Sequence, residues 1–312
     1  MSMRYPAGFI SAFYDPLKNP DAPTIGTATE GNASASVTFT APANVGGSAI
    51  TSYTVVSSPS GITGTGASSP ITVSGLSNGT AYTFKVFATN SYGPSALSAA
   101  SNSVTPVAPP SVIGQAYGGG YYAGQIGVSS VATHYLIVGP AASAQNISIK
   151  WKNAATDTPG AASVIDGPQN TADMVADGNA TVYPAAHFCN NLVTGGQTDW
   201  YMPAKNELEV CYYNLKPGTS GNDAGDGINP NAVPARASGY SGGTPATNPA
   251  QTSAAAFQTG GAEAFTVNYY WSSTEFSSAN GNLQGFTTGD QYPGGYIKTG
   301  DFHLRAVRRV AV

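Results

Sequence analysis

The sequence predicts a two-domain protein in which an all-β sandwich precedes an α+β domain. Apolar and polar residues alternate in short runs between 22 and 106, and turn signals separate these runs at a spacing of about 8–12 residues, which is typical of a sandwich. A proline-containing linker follows at 107–112, and amphipathic helical patterns occur after it, in 113–312. With 312 residues the chain is long enough for two domains, each with its own core.

The strands of the first domain are marked by apolar residues at period two. These positions are Val37 and Phe39, then Ile50, Tyr53 and Val55, then Ile71, Val73 and Leu76, and finally Tyr82, Phe84, Val86 and Ala88. The last run leads into the string NSYGPS, and together they resemble the fibronectin type III family. The resemblance places Tyr82 at the tyrosine corner of that family and Phe39 where a core tryptophan is usual. The chain contains no Arg-Gly-Asp, so integrin binding is not expected.

Three helices are predicted in the second domain. They cover 171–179, 183–196 and 202–218. The second helix has Pro184 at its start, and the third is expected to begin on Pro203. Glu207 lies in the first turn of the third helix, where the helix dipole favours an acid, so a structural role is preferred over a catalytic one.

Three strings in the second domain occur in a characteristic order. They are DWYMPAKNELE at 199–209, YYWSSTE at 269–275 and HLRAVRRV at 303–310. This order resembles the C-terminal domain family of bacterial collagen-like adhesins and of phage tail and fibre proteins. The resemblance implies a C-type-lectin-like fold over 113–312 that binds surfaces. It also assigns Trp271 to the core, and it assigns Arg305 and Arg308 to strands on which they pair with acids, namely Glu275, Asp199 or Glu207.

The segment between Glu275 and Phe302 has the composition of a binding surface. Aromatic and small polar residues dominate it, and in antibody paratopes such a mixture combines rigid contact area with adaptable hydrogen bonding. In phage proteins with the resembled fold, the matching segment forms the receptor-binding face. The candidate ligand-binding residues are Phe276, Asn280, Asn282, Gln284, Gln291, Tyr292, Tyr296 and Asp301. The alternative is that these residues belong to ordinary polar loops.

A calcium site is an alternative for the long stretch at 217–262, which is rich in Gly, Ser and Asn. Oxygen ligands of the kind that Ca²⁺ prefers come from Asn222, Asp223, Asp226 and Asn229. Their spacing departs from the EF-hand pattern, and the sugar-chelating tripeptides of calcium-dependent lectins are absent. No metal or cofactor is therefore expected, and a solvated turn is the preferred interpretation. Loops of this length are usually functional or disordered.

No catalytic residues are expected. Cys189 and Cys211 fall on predicted helices, where buried free thiols are favoured over a bridge, a metal site or a nucleophile. The histidines show neither metal-ligand spacing nor a nucleophile partner, and convergent carboxylates for glycoside hydrolysis are not evident. The sequence therefore favours a protein that is not an enzyme.

The surface is expected to be polar and nearly uncharged. Charged residues make up 9% of the chain, against about 25% in soluble proteins, and those between 22 and 106 are Glu30 and Lys85. The net charge of −4 is mild. Binding to nucleic acid is therefore not expected. Membrane insertion is not expected either, because the chain lacks a run of about 18 apolar residues.

Residues 1–21 are expected to form a docking segment that contacts other virion proteins or neighbouring copies of the chain. Its apolar side chains are too many for a solvated tail; they are Tyr5, Phe9, Ile10, Phe13, Tyr14 and Leu17. The alternative is an added strand of the sandwich. The segment lacks the pattern of a secretory signal, which favours a virion component that is assembled in the host cytoplasm.

Taken together, these features predict a phage virion protein. The preferred interpretation is a homo-oligomeric tail or fibre adhesin whose C-terminal domain binds a host-surface glycan or protein. One alternative is a capsid decoration or fibre protein with a mainly structural or weakly adhesive role, and another is a bacterial cell-surface adhesin. The sequence contains no heptads or collagen repeats that would fix the oligomeric state.

Overall fold

The computed structural model describes residues 17–292 and 294–312. The chain divides into two compact units between Pro109 and Pro110. Both units are rich in β-strands, and the described α-helices belong to the second. The docking segment predicted at 1–21 lies largely outside the described residues, and at its described end Leu17 is exposed.

The first unit is a β-sandwich. Its strands are β1 (Thr24–Gly31), β2 (Ser34–Thr40), β3 (Ser52–Ser58), β4 (Thr63–Gly66), β5 (Ile71–Ser74), β6 (Thr83–Asn90) and β7 (Gly93–Pro94). One sheet has the order β1-β2-β5 and the other β4-β3-β6-β7. Alternate residues of both sheets face each other and form one core, so the predicted period-two pattern is confirmed.

The tyrosine corner expected at Tyr82 is present. The side chain is buried, and its hydroxyl accepts a hydrogen bond of 3.2 Å from the backbone N–H of Ser77. Phe39 is buried too, and its ring centroid lies 4.7 Å from that of Tyr53. A phenylalanine therefore fills the core position at which the resembled family usually has tryptophan.

Serine hydroxyls complete the edge of the second sheet in the segment that follows β7. Ser95, Ser98 and Ser101 recur at a spacing of three residues. Their hydroxyls accept hydrogen bonds from the backbone N–H of every second residue of β6, namely Phe84, Val86 and Ala88. The backbone N–H of each serine donates in return to the carbonyl of the same β6 residue. A repeat of three residues cannot match a strand ladder of period two, so the hydroxyls supply the missing acceptors.

Ser98→Ala is expected to destabilise the first unit by about 1–3 kcal/mol, because the buried N–H of Val86 loses its acceptor. Ser103→Ala, at an exposed position of the same segment, is the control. Denaturant unfolding should show a lower midpoint for the first unit in the Ser98 variant alone. Equal midpoints in the two variants would contradict the role assigned to the hydroxyl.

The described part of the second unit contains two sheets and four α-helices. The helices are α1 (Ala141–Ala144), α2 (Gly167–Asp177), α3 (Pro184–Asn190) and α4 (Lys205–Leu215). The strands are β8 (Ala116–Tyr117), β9 (Gly120–Val128), β10 (Val131–Val138), β11 (Gln145–Lys150), β12 (Ala232–Val233), β13 (Tyr269–Glu275), β14 (Asn280–Gly285), β15 (Tyr296–Ile297), β16 (Asp301–Arg305) and β17 (Val307–Ala311). One sheet has the order β12-β9-β10-β17, with β8 beside β9, and the other has the order β11-β16-β13-β14-β15.

The three predicted helices are present, with different bounds. α2 begins at Gly167 rather than at 171, because the Asp166 side chain caps its start. α3 ends at Asn190 rather than at 196, and α4 begins at Lys205 rather than on Pro203. Among the described residues, no helix has both the length and the apolar character needed to cross a bilayer.

Two tryptophans tie together the strands of the second sheet in this unit. Trp271 in β13 is fully buried, as predicted, and its indole N–H donates to the carbonyl of Ile149 in β11. Trp151, which follows β11, donates from its indole N–H to the carbonyl of Ser272 in β13. Since β16 lies between β11 and β13, these reciprocal bonds span three strands.

Glu207 joins three elements of the second unit. Its buried carboxylate accepts hydrogen bonds from the backbone N–H groups of Ala204 and Gly167, from the Tyr201 hydroxyl and from Nε of Arg309 in β17. A buried carboxylate is stable only when it is fully hydrogen-bonded, so this set fixes α2, α4 and β17 relative to one another. These contacts agree with the structural role predicted for Glu207.

Glu207→Gln is expected to destabilise the second unit by about 3 kcal/mol, because the neutral amide leaves the largely buried Arg309 with only the more distant and exposed carboxylate of Asp166. Asp199→Asn, which removes a more exposed carboxylate from the neighbouring Arg308, is the matched control, with an expected cost of about 0–1 kcal/mol. Chemical unfolding followed by tryptophan fluorescence measures both. Equal losses in the two variants would contradict the importance of the buried carboxylate.

Candidate functional site

The eight candidate residues divide into a surface group and an interior group. In the surface group, Phe276, Tyr292 and Tyr296 are 52%, 42% and 41% exposed. Asp301 is also exposed, and Asn280 is half-buried. These five side chains remain candidates for ligand contact.

The interior group consists of Asn282, Gln284 and Gln291, which are buried. The Gln291 amide donates to Oε1 of Gln284 at 2.9 Å, and the Gln284 amide donates to the carbonyl of Gly289. The Asn282 amide donates to the carbonyl of Thr274 at 3.1 Å. The prediction that these three side chains contact a ligand is corrected, because their hydrogen bonds lie inside the domain: Gln284 and Gln291 hold the loop after β14 against β14, and Asn282 joins β14 to β13.

Five rings, which we call the aromatic face, lie near one another: four are joined by ring contacts, and Phe276 lies beside Gly295, the residue before Tyr296. They are Tyr269, Phe276, Tyr292, Tyr296 and Phe302. Ring centroids lie 5.9 Å apart for Tyr292 and Tyr296, 4.9 Å apart for Tyr296 and Phe302, and 6.3 Å apart for Tyr269 and Phe302. Each of these pairs meets nearly edge to face, the geometry that aromatic pairs prefer.

Sequence reasoning missed Tyr269 and Phe302 as members of the aromatic face. Tyr269 begins the string at 269–275 and Phe302 precedes the string at 303–310, and both side chains are half-buried rather than buried. Their position near strand starts is the available signal, because Tyr269 is first in β13, Phe302 is second in β16, and strand ends are often less covered than the centre. Phe302 also packs against the core, since its ring centroid lies 5.1 Å from that of Trp271.

Buried polar groups hold the hairpin of β14 and β15 beneath the aromatic face. The fully buried Lys298 contacts the Glu275 carboxylate through Nζ and donates to the carbonyls of Thr156 and Ser278. The side-chain amide of Asn280 donates to the carbonyl of Gly294 at 3.0 Å. The exposed rings therefore lie on a hairpin whose backbone is held in place by the contacts of Lys298 and Asn280.

An acidic cluster adjoins the aromatic face. Carboxylate oxygens of Asp223, Asp226 and Asp290 all lie within 4.8 Å of one another. Asp290 accepts hydrogen bonds of 2.9 Å from the Tyr269 hydroxyl and from the backbone N–H of Tyr292. Three carboxylates could each offer one oxygen to a cation, whereas Ca²⁺ takes about 6–8 oxygen ligands.

The structure changes the membership of the calcium set suggested by the sequence. Asn222 is buried, and its Oδ1 accepts hydrogen bonds from Lys216 Nζ and the Tyr212 hydroxyl. Asn229 is also buried, and its amide donates to Oε2 of Glu209. These two asparagines are therefore corrected to structural residues. Asp290, from a distant part of the sequence, takes their place beside Asp223 and Asp226.

Burial raises the pKa of Asp226 above its usual value. The charges of Asp223 and Asp290 add to this rise, while the backbone N–H of Gln291 and the ammonium of Lys205 oppose it. The negative charge of Asp226 is thus destabilised by the two neighbouring carboxylates.

The strand arginines were predicted correctly in one case of two. Arg308 pairs with Asp199 through two hydrogen bonds of 2.7 and 2.8 Å, as expected. Arg305 pairs with Glu263 at 2.7 Å, which was not among the expected acids. Glu263 lies at the end of the long stretch 217–262, and only the fold brings it to Arg305.

A cleft of about 550 Å³ lies elsewhere in the second unit, beside β17. Its charged lining residues include Asp166, Asp199 and Arg309. Arg309 pairs with Glu207 and lies 3.6 Å from Asp166, while Asp199 pairs with Arg308. Because these charged residues of the cleft lining neutralise each other, we place the candidate site at the aromatic face rather than in this cleft.

The cysteines and His303 have structural environments. Cys189 and Cys211 are buried free thiols, as predicted, and burial raises the pKa of both. His303 contacts Thr266 Oγ1 through Nδ1 and the Asn268 amide through Nε2, and burial lowers its pKa. A thiol of raised pKa is a poor nucleophile.

Comparison with known proteins identifies the first unit. Residues 21–104 match the family model described as the fibronectin type III domain. Similar solved structures include titin kinase and its flanking domains, with 30% identity over 28% of this chain and 17% of that chain and a TM-score of 0.26. The twitchin kinase region from C. elegans has 23% identity over 30% of this chain and 18% of that chain, with a TM-score of 0.27. A fourth FNIII domain of human origin has 24% identity over 34% of this chain and 94% of that chain, with a TM-score of 0.26.

The match therefore concerns the first unit, which is a fibronectin type III-like sandwich. The chain spans 17% and 18% of the lengths of the titin and twitchin structures. No curated protein matches the chain.

Asp226→Asn is expected to stabilise the second unit at pH 7. The folded state raises the Asp226 pKa above its unfolded value, so it binds the proton more tightly, and stability falls as pH rises through the window between the two values. The asparagine removes that loss. Thermal unfolding in the presence of a chelator should show a higher melting temperature for the variant at pH 7, with a difference that shrinks towards pH 4. A variant with a lower melting temperature at pH 7 would contradict the expectation.

Proposed function

We propose that this chain is a phage virion protein, a tail or fibre adhesin whose second unit recognises a glycan or protein on the host surface. The observation that carries the proposal is the aromatic face, where large rings stay exposed on a hairpin that buried polar groups hold in place. Exposed rings on a fixed backbone lose little conformational freedom on binding, so their contact area contributes efficiently to affinity.

A C-type-lectin-like fold for the second unit is part of this proposal. The early strand β10 pairs antiparallel with the terminal strand β17, and α4 packs against β13 and β14. The three strings that carry the family resemblance contribute α4, β13 and β17 in that order. Strand pairing and string order together support the assignment.

The low surface charge supports recognition by contact rather than by long-range attraction. Charged residues are 9% of the chain, and several of them, such as Glu207, Glu209, Lys298 and Arg305, are buried. A surface of this kind attracts neither polyanions nor membranes strongly. The proposed partners are therefore surface molecules that offer shape and hydrogen bonds, and neither nucleic acid nor a lipid bilayer is proposed as a partner.

In the proposed arrangement, the fibronectin type III-like unit is a spacer between the virion and the binding unit. The segment 1–21, which lies largely outside the described residues, is proposed to dock on other virion proteins, and the chain is proposed to act as a homo-oligomer without enzymatic activity. Assembly would take place in the host cytoplasm. Display on the particle surface then brings the second unit to the host.

The double variant Tyr292→Ser/Tyr296→Ser is expected to weaken binding to host cells by roughly tenfold or more, because buried aromatic anchors contribute about 1–2 kcal/mol each to interfaces. The matched control is Tyr92→Ser, which removes an exposed ring from the first unit. Flow cytometry with the labelled chain, on cells of the strain that supports infection, measures both. Unchanged binding of the double variant would remove the aromatic face from the proposal.

The position on the particle separates a tail adhesin from other virion roles. Electron microscopy of particles labelled with an antibody against 112–312 should show label at the tail or its fibres. Label over the capsid would indicate a decoration or capsid-fibre protein. Particles without label would overturn the virion proposal and favour a bacterial cell-surface adhesin.

A further inference from the structure

Four rings of the aromatic face and the carboxylate of Asp290 contact one another in a closed series, which we call the circuit. Tyr292 contacts Tyr296, Tyr296 contacts Phe302, and Phe302 contacts Tyr269 through the edge-to-face pairs described above. Asp290 closes the circuit, because one of its oxygens accepts the Tyr269 hydroxyl and the other accepts the backbone N–H of Tyr292. All four rings are exposed or half-buried, so solvent reaches the circuit.

The interplanar angles are those of rings that can surround one small group, not those of rings stacked face to face. They are 67° for Tyr292 and Tyr296, 79° for Tyr296 and Phe302, and 82° for Tyr269 and Phe302. Rings that stand nearly perpendicular to their neighbours can present several faces to one small group. The face of an aromatic ring carries partial negative charge, and a cation within about 6 Å of its centroid is attracted.

Carboxylates add negative charge to that of the ring faces. Asp290 belongs to the acidic cluster with Asp223 and Asp226, and Asp301 is exposed at the start of β16, the strand that carries Phe302. Three lysines lie nearby: Lys298 is buried below the hairpin and paired with Glu275, Lys205 offsets part of the charge on Asp226, and Lys150 is the cross-strand partner of Asp301. The aromatic face is therefore complementary to a positively charged ligand.

We propose that the circuit of Tyr269, Tyr292, Tyr296 and Phe302, closed by Asp290, binds a quaternary ammonium group of the choline type that is attached to a host-surface glycan. This inference rests on the proposed function and names the chemistry of its ligand. A quaternary ammonium group is weakly hydrated and bulky, so several ring faces can contact it at once, whereas a primary ammonium group would have to shed a tightly bound water shell.

A matched pair of small molecules tests the charge requirement. Choline and 3,3-dimethylbutan-1-ol have nearly the same shape and differ by the positive charge on the central atom. In an NMR titration of the full chain in the presence of a chelator, choline is expected to shift the tyrosine ring signals and to bind roughly tenfold more tightly than the neutral alcohol. Equal affinity for the two, or no binding of either at concentrations of about 0.1 M, would overturn the proposal.

Two variants test the residues. Tyr296→Leu keeps apolar bulk but removes a ring, and Asp290→Asn removes the carboxylate charge while keeping an acceptor for Tyr269. Each is expected to weaken choline binding by about two- to fivefold, which corresponds to one cation–π contact at an exposed site. Tyr92→Leu in the first unit is the control. Melting curves identify a variant that fails to fold. In that case Tyr296→Phe, which keeps the ring, is the substitute variant and should bind choline like the original chain. A loss of choline binding in Tyr296→Phe would overturn the role of the ring face.

A third arm distinguishes the source of the ammonium group. A peptide with trimethyllysine carries the same group on a protein, and it should bind no more tightly than a choline-bearing oligosaccharide if the ligand is a glycan. Tighter binding of the peptide would overturn the glycan assignment.

The ammonium site and the proposed adhesin can fail independently. If Tyr292→Ser/Tyr296→Ser loses host-cell binding while the original chain binds no choline, the proposed adhesin is retained and the ammonium site is rejected.

Discussion

The carboxylate of Glu207 is the interaction on which the second unit depends. It is buried and accepts four hydrogen bonds, which reach the start of α2, the residue before α4, Tyr201 and the terminal strand β17. Gly167 at the start of α2 has to be a glycine, because a Cβ there would lie 2.4 Å from Oε2 of Glu207. One desolvated acid thus fixes elements that are far apart in the sequence, and its desolvation is tolerated only because every partner is in place.

The same use of polar groups inside the fold reaches the aromatic face. α4 packs against β13 and β14, and the indoles of Trp151 and Trp271 donate hydrogen bonds between β11 and β13. Lys298 then fixes the hairpin that follows, through Glu275 and two carbonyls. A chain with few charged residues thus places several of them in its interior, among them Glu207, Lys298 and Arg305, where they position the backbone.

Local patterns in the sequence were enough to predict the sandwich, the three helices and the exposed rings of Phe276, Tyr292 and Tyr296. They could not predict that the amides between those rings turn inward. Asn282 and Gln284 do so because β14 is an inner strand with both sides covered, and Gln291 follows by its bond to Gln284. The stretch 217–262 was predicted as an irregular loop, yet Tyr240 and Phe257 anchor it in the core. Contacts of this kind join residues far apart in the chain, and neither periodicity nor composition records them.

The acidic cluster, which is half-buried to exposed, differs from the buried charges in how its charge is balanced. Glu207, Glu209, Lys298 and Arg305 each have an opposite charge in direct contact. Asp226 instead lies beside Asp223 and Asp290, and Lys205 offsets only part of their repulsion. A fold that pairs these four interior charges has left negative charge concentrated beside exposed rings. A cationic ligand would relieve that repulsion, and this electrostatic gain is available to the complex alone.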